Sequence, residues 1–329
     1  MTRDLRSLPK AHLHVHVEST VRPATLRELA GENGVPVPGP AGGFADFRAF
    51  ADHNSLIRAC LRRPADFERL GREYCEDEVA QGVGYAEVTF TAASHGERLG
   101  DLDMPLEALL RGLAAGRAAT GLEYRVLLDH SRRQSVERAW RTLDLARRYA
   151  EQGVIGIGMA GDESYPLAPF AEVCEAAEKE GLHRVHHAGE AAGPDSIREA
   201  LGVGRGERIG HGIRILEDPA LTAEVAALGV PLEVCPSSNV ALGLAPSWAE
   251  HPLPRLRAAG LAVTLNTDIP ASTGVTLSQE YAGARESFGY SDEVLAELAQ
   301  ASVAASFAPA ATKSRLSARI SRWLTTPAD

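Results

Sequence analysis

Eight short runs rich in apolar and β-branched residues recur along the chain, at 11–17, 84–91, 123–129, 154–159, 183–187, 208–210, 231–235 and 261–266. Stretches with helical periodicity separate most of them, which is the pattern of a parallel sheet joined by crossover helices. The segment 134–152 places Ala139, Leu143, Ala146 and Ala150 on one side of a helix, and 166–180 does the same with Phe170, Val173, Cys174 and Ala177. Eight strands so connected close most economically into a (β/α)8 TIM barrel of the α/β class. The 329 residues fit one barrel domain spanning 1–329, because barrels of ~250 residues or more fold as single units. No linker argues for a second domain.

Composition narrows the function. An apolar fraction of 44% and a charged fraction of 24% are ordinary for a soluble globular chain, and no apolar stretch is long enough to cross a bilayer. The start, Thr2-Arg3-Asp4-Leu5-Arg6, lacks the apolar core of a signal peptide, so a cytoplasmic location is the default expectation. Cys60, Cys75, Cys174 and Cys235 are scattered and form no CxxC pair, which argues against a disulfide framework and against a cysteine zinc site. A net charge of −10 disfavours nucleic acid as a partner. A small neutral or cationic substrate is easier to accommodate.

Two segments stand outside the repeating units. Residues 31–43 are rich in Gly and Pro and lead into an aromatic stretch with Phe44, Phe47 and Phe50. Long βα connections of a barrel lie at its catalytic face, so 31–60 is a candidate lid; a surface helix that docks three Phe on the scaffold is the equal alternative. The tail carries Leu316, Ile320, Trp323 and Leu324 at helical spacing and reads as a closing amphipathic helix over about 312–325.

Titratable residues gather at the strand ends. In Ala11-His12-Leu13-His14-Val15-His16-Val17 the histidines alternate with apolar residues, so on a strand all three share a face. Two imidazoles two residues apart can reach one cation, whereas His12, the deepest, reads as a core residue. In His186-His187-Ala188-Gly189-Glu190 only one histidine can face inward, and His187 is the better placed. Glu190 follows on the βα loop, where it can reach a substrate or answer a helix dipole. His211 lies between Gly210 and Gly212, with room for close approach of a ligand, and Asp268 ends the eighth strand. Active sites of this fold lie at that edge, so together these residues favour a metal site. Imidazoles with one carboxylate suit Zn²⁺ or a similar divalent ion, which would activate a water at neutral pH.

Lys10 with His14-Val15-His16, the run Ala160-Gly161-Asp162-Glu163, His187-Ala188-Gly189-Glu190, Arg208-Ile209-Gly210-His211-Gly212, Cys235-Pro236-Ser237-Ser238-Asn239, His251-Pro252-Leu253 and Asn266-Thr267-Asp268 occur in one order. That series resembles the adenosine deaminase family of zinc aminohydrolases over nearly the whole chain. The resemblance implies one zinc ion per chain held by His14, His16, His187 and Asp268. It also implies that Glu190 protonates the ring nitrogen beside the amino-bearing carbon, that His211 orients or deprotonates the attacking water, and that Gly161 offers its N–H to the purine. The implied reaction is hydrolytic deamination of an aminopurine-like nucleoside or base, with adenosine, adenine and aminodeoxyfutalosine as candidates.

Three positions depart from the family pattern. Val17-Glu18-Ser19-Thr20 replaces the usual glycine by Ser19, and Glu18 is a candidate contact for a ribose-like hydroxyl or a cap for the next helix. Glu87-Val88-Thr89 lacks the arginine common after the acidic residue. Ile269 stands where a second aspartate would bind purine N7, so either the substrate presents an apolar edge there or another group supplies the hydrogen bond. Hydrolysis of a different C–N bond, in an amide or cyclic amidine, and a catalytically silent nucleoside-binding barrel are the competing classes.

Overall fold

All eight expected strands form, and they pair in sequence order as one parallel sheet: β1 Lys10–His12, β2 Val83–Phe90, β3 Glu123–Ser131, β4 Val154–Ala160, β5 His183–Ala188, β6 Arg208–His211, β7 Leu232–Val234 and β8 Val263–Leu265. The structure is a computed structural model that describes residues 2–37, 43–45 and 47–326. Helices follow the strands, and the arrangement is the expected (β/α)8 barrel. The ring closes just beyond the ends of β8 and β1. There the His16 N–H donates to the Asp268 carbonyl at 2.9 Å and the Asp268 N–H to the His14 carbonyl at 3.0 Å.

The first strand is shorter than the sequence suggests. The Asn266 side-chain oxygen accepts the N–H groups of both Leu13 and His14, at 2.9 and 3.1 Å, which interrupts the ladder. Simple alternation therefore fails across this point. His12 does not join His14 and His16; its Nδ1 lies 2.9 Å from Glu78 of the Pro64–Ala80 helix and its Nε2 lies 3.0 Å from the Thr267 hydroxyl.

Helix ends follow local chemistry. Ser135 caps the Val136–Arg148 helix by accepting the Arg138 N–H, and Ala139, Leu143 and Ala146 are buried as expected. That helix stops before Ala150, which is exposed in a short 3₁₀ turn, and Tyr149 is buried instead. In the second expected helix the regular part is Ala171–Lys179, with Phe170, Val173, Cys174 and Ala177 all buried. The tail forms the Ala310–Thr325 helix, whose Leu316, Ile320 and Trp323 are buried. Part of the candidate lid, residues 38–42 and 46, lies outside the described residues. Its remainder includes the Phe47–Cys60 helix. Among the described residues, no helix is long and apolar enough to cross a membrane.

Glycine permits a close approach of two helices. A Cβ on Gly112, in the Met104–Thr120 helix, would fall 2.2 Å from the Glu68 carbonyl oxygen of the facing Pro64–Ala80 helix. Gly112→Ala should therefore lower the unfolding free energy by about 1–3 kcal/mol through overpacking. Gly202→Ala, where a Cβ meets nothing within 4 Å, should be neutral or slightly stabilising. Urea-unfolding midpoints of the two variants check both outcomes.

Candidate active site

The strand ends deliver six of the expected residues to one buried locus at the carboxyl edge of the barrel. His14 is fixed from behind, because its Nδ1 pairs with Glu233 on β7 at 2.8 Å and leaves Nε2 directed at the cluster without a hydrogen-bond partner. His16 Nε2 lies 3.2 Å from His187 Nε2 and 3.3 Å from Asp268 Oδ1, and His14 Nε2 lies 3.6 Å from that same oxygen. Metal–ligand bonds of about 2.0–2.1 Å in a tetrahedron place ligand atoms about 3.3 Å apart, so these spacings fit a divalent cation such as zinc. Donor atoms of His14, His187, His211 and Asp268 also lie within 4.8 Å of one another, which makes His211 a geometric competitor of His16. The tetrahedral-edge distances favour His16. Nε2 of His211 instead faces Glu190 Oε1 at 3.6 Å.

Charge in the cluster calls for a cation. Burial opposes protonation of His14, but the carboxylates of Asp268 and Glu233 outweigh it and hold its pKa up at about 10. Burial likewise pushes the Asp268 carboxyl up, yet pairing with His14 and the surrounding imidazoles keeps it well below the usual carboxylate range. Its second oxygen accepts the Ser238 hydroxyl at 2.6 Å. Burial, reinforced by His14, drives the pKa of His187 well below its usual value and that of His211 down to about 3, so both rings are neutral.

Glu190 has the opposite bias. Burial, then the negative charges of Asp268 and Glu163, raise its carboxyl well above the normal range, which favours the protonated form. The loop that bears it is pinned by Glu163: one carboxylate accepts the N–H groups of Gly189, Glu190 and Ala191 at 2.7, 2.9 and 2.8 Å and the Ser196 hydroxyl at 2.6 Å. Asn239 donates to Glu190 Oε1 and to His211 Nδ1, each at 3.4 Å, and its own oxygen accepts from His251 at 3.1 Å. His211 and Asp268 both hold left-handed backbone angles, φ 67° and 60°, a strain concentrated at the site. Gly210 makes room for His14, since a Cβ there would come within 2.7 Å of the ring.

A cavity of about 160 Å³ opens onto this cluster. His16, His187, Glu190, His211 and Asp268 line it, and so does Gly161, whose φ of 87° suits glycine. Phe50 and Arg58 of the Phe47–Cys60 helix form part of its wall, which puts that helix at the mouth of the site. Glu18 and Ile269 are not among the lining residues. Glu18 is buried behind the wall, where its Oε1 accepts the Thr91 N–H at 3.0 Å and lies 3.3 Å from His95 Nε2. Ile269 is 1% exposed in a tight turn whose N–H donates to the Thr267 carbonyl at 2.7 Å. A wider depression of about 920 Å³ at the opposite end, around Arg6 and Arg322, holds none of these groups.

Sequence reasoning missed Asp129, which lines the cavity from β3, together with the supporting carboxylate Glu233, and it marked Glu163 in the run 160–163 without a role. Asp129 ends the expected third strand, so the strand-end rule that found Asp268 could have found it. Glu233 carries no such signal, because its partner His14 is 219 positions away.

The sequence pattern of adenosine deaminase matches residues 9–323. The chain belongs to the adenosine deaminase family. It is 40% identical over 311 residues to an adenine deaminase of Streptomyces coelicolor, covering 92% of this chain and 91% of that protein. Its fold superimposes on the crystal structure of an adenine deaminase from Arthrobacter aurescens with a TM-score of 0.89 at 31% identity, covering 97% and 99% of the two chains. An N6-mAMP deaminase from Arabidopsis gives a TM-score of 0.85 at 28% identity over 97% and 99%. Family membership bears out the expectation of a hydrolytic deaminase.

Behind the cluster, Arg208 lies fully inside the barrel, bonded to Glu233 at 2.6 Å and Glu87 at 2.5 Å and stacked on Phe307 at 3.9 Å. Arg208→Met leaves two carboxylates buried without their cation and should cost about 3–5 kcal/mol of stability. Adding Glu87→Gln should recover part of the loss. Denaturant unfolding of the single and double variants measures both.

Proposed function

We propose that this deaminase acts on a free 6-aminopurine base, adenine foremost, converting it with water to the 6-oxo base and ammonia. The observation that carries the reading is the buried carboxyl of Glu190, 3.6 Å from His211 and set beside a histidine and aspartate cluster on a cavity of about 160 Å³. That volume lies below the ~300–1,000 Å³ typical of sites for larger ligands, which favours a bare base over a nucleotide. The names of the adenine deaminases to which the chain is similar point the same way.

In this reading His14, His16, His187 and Asp268 hold one zinc ion per chain. When bound, such an ion brings the pKa of a water down to ~7 and so supplies a nucleophile at neutral pH. Glu190 gives its proton to the ring nitrogen next to the amino-bearing carbon, which draws electrons from that carbon and opens it to attack. His211, neutral and anchored through Asn239, holds the attacking water in place. Water adds to the carbon, the C–N bond breaks and the amino group leaves as ammonia. Gly161 offers its backbone to the purine edge, and the Phe47–Cys60 helix serves as the lid that excludes bulk water.

Ammonia release with adenine tests the reading. The zinc-loaded wild type should turn adenine over faster than adenosine, and Glu190→Gln should lose at least ~10²-fold in kcat while keeping its fold. Absence of ammonia from adenine, or retained turnover in Glu190→Gln, would contradict it.

A further inference from the structure

We infer that Asp129 is a substrate-reading residue that accepts the imidazole N–H of a free aminopurine and thereby selects the base over its N9-substituted nucleoside. The inference rests on the deaminase reading above and names the group that sets its substrate class. Asp129 is only 4% exposed, lines the catalytic cavity and leaves its Oδ1 buried without a hydrogen-bond partner. Its other oxygen lies 3.8 Å from His16 Nδ1, beyond hydrogen-bond reach. A buried, unpaired carboxylate oxygen on the wall of a cavity is an acceptor that a ligand donor would satisfy.

The chemistry of the substrate identifies that donor. Asp129 ends on β3, two strands from the β5 end that leads to Glu190, so a ring protonated by Glu190 presents a different edge to Asp129. Adenine has two kinds of hydrogen-bond donor. The exocyclic amino group sits on the reacting carbon and departs as ammonia, which leaves the N–H of the five-membered ring. In a nucleoside that position carries the sugar and the donor is gone. Ile269 is buried away from the cavity lining, so it offers the five-membered ring nothing. Asp129 supplies the polar contact to that ring from another strand; burial raises its pKa, and the charges of His16 and then Arg58, both on the cavity wall, work against that shift.

The test is kcat/KM for adenine, 9-methyladenine and adenosine with wild type, Asp129→Ala and the volume-conserving Asp129→Asn, each assayed for metal content. Wild type should prefer adenine to 9-methyladenine by about a hundredfold or more, since a site built around a hydrogen bond rejects the analogue that lacks it. In both variants that preference should fall by at least about tenfold at unchanged metal content. Equal losses on adenine and 9-methyladenine, with the ratio preserved, would overturn the inference and mark Asp129 as a residue that only orients His16. A selective loss on adenosine would overturn it in favour of a ribose hydroxyl. If wild type releases ammonia from none of the three, the deaminase reading fails and the inference falls with it, whereas adenine turnover with an unchanged ratio sinks the inference alone.

Discussion

Two backbone hydrogen bonds, from His16 N–H to the Asp268 carbonyl and from Asp268 N–H to the His14 carbonyl, close the barrel and at the same moment set three side chains of the candidate metal site. Fold closure and site assembly are therefore one event. Asn266 adds to the seam by taking the N–H groups of Leu13 and His14 on one side-chain oxygen, which ends β1 early and turns His14 and His16 away from the path of His12. The left-handed backbone at Asp268 and His211 is strain that the surrounding seam and loops hold in place.

Charge organises what the seam positions. From the barrel interior outward, Arg208 binds Glu233, and Glu233 holds His14 by Nδ1 so that Nε2 faces the cluster. A carboxylate behind a ligating imidazole fixes its tautomer and orientation. On the far side Glu163 collects three backbone N–H groups and so stiffens the loop that carries Glu190. The outcome is two carboxyls in one site with opposite bias, Asp268 toward the charged form and Glu190 toward the protonated one. Separation of pKa values between neighbouring acids is how a single site supplies both a ligand and a proton donor.

Much of this was legible in the chain. The eight strands were visible because parallel barrel strands are buried on both faces and read as short apolar runs between helical periods. His14, His16, His187, Glu190, His211 and Asp268 could be picked out because each falls at a strand end, where this fold builds its sites. The break in β1 was not legible, since it depends on a side chain 253 positions away from Leu13. Glu233 looked like an ordinary acidic residue for the same reason, since its partner His14 is 219 positions away. Ile269 and Glu18 invited a substrate role by analogy, but a tight turn and a pairing with His95 keep both off the cavity wall. Asp129, at the end of the expected third strand, does line that wall, and the same strand-end rule would have marked it.

The arrangement as a whole suits a cation: imidazole and carboxylate donor atoms 3.2–3.6 Å apart, with His14, His211 and Asp268 buried. Zinc titration of the metal-free chain, with bound metal counted after dialysis in wild type, His14→Ala and Asp268→Ala, tests that claim most directly. The account predicts about one tightly held ion per wild-type chain and little in either variant. Wild type that retains no metal, or variants that retain as much as wild type, would contradict it.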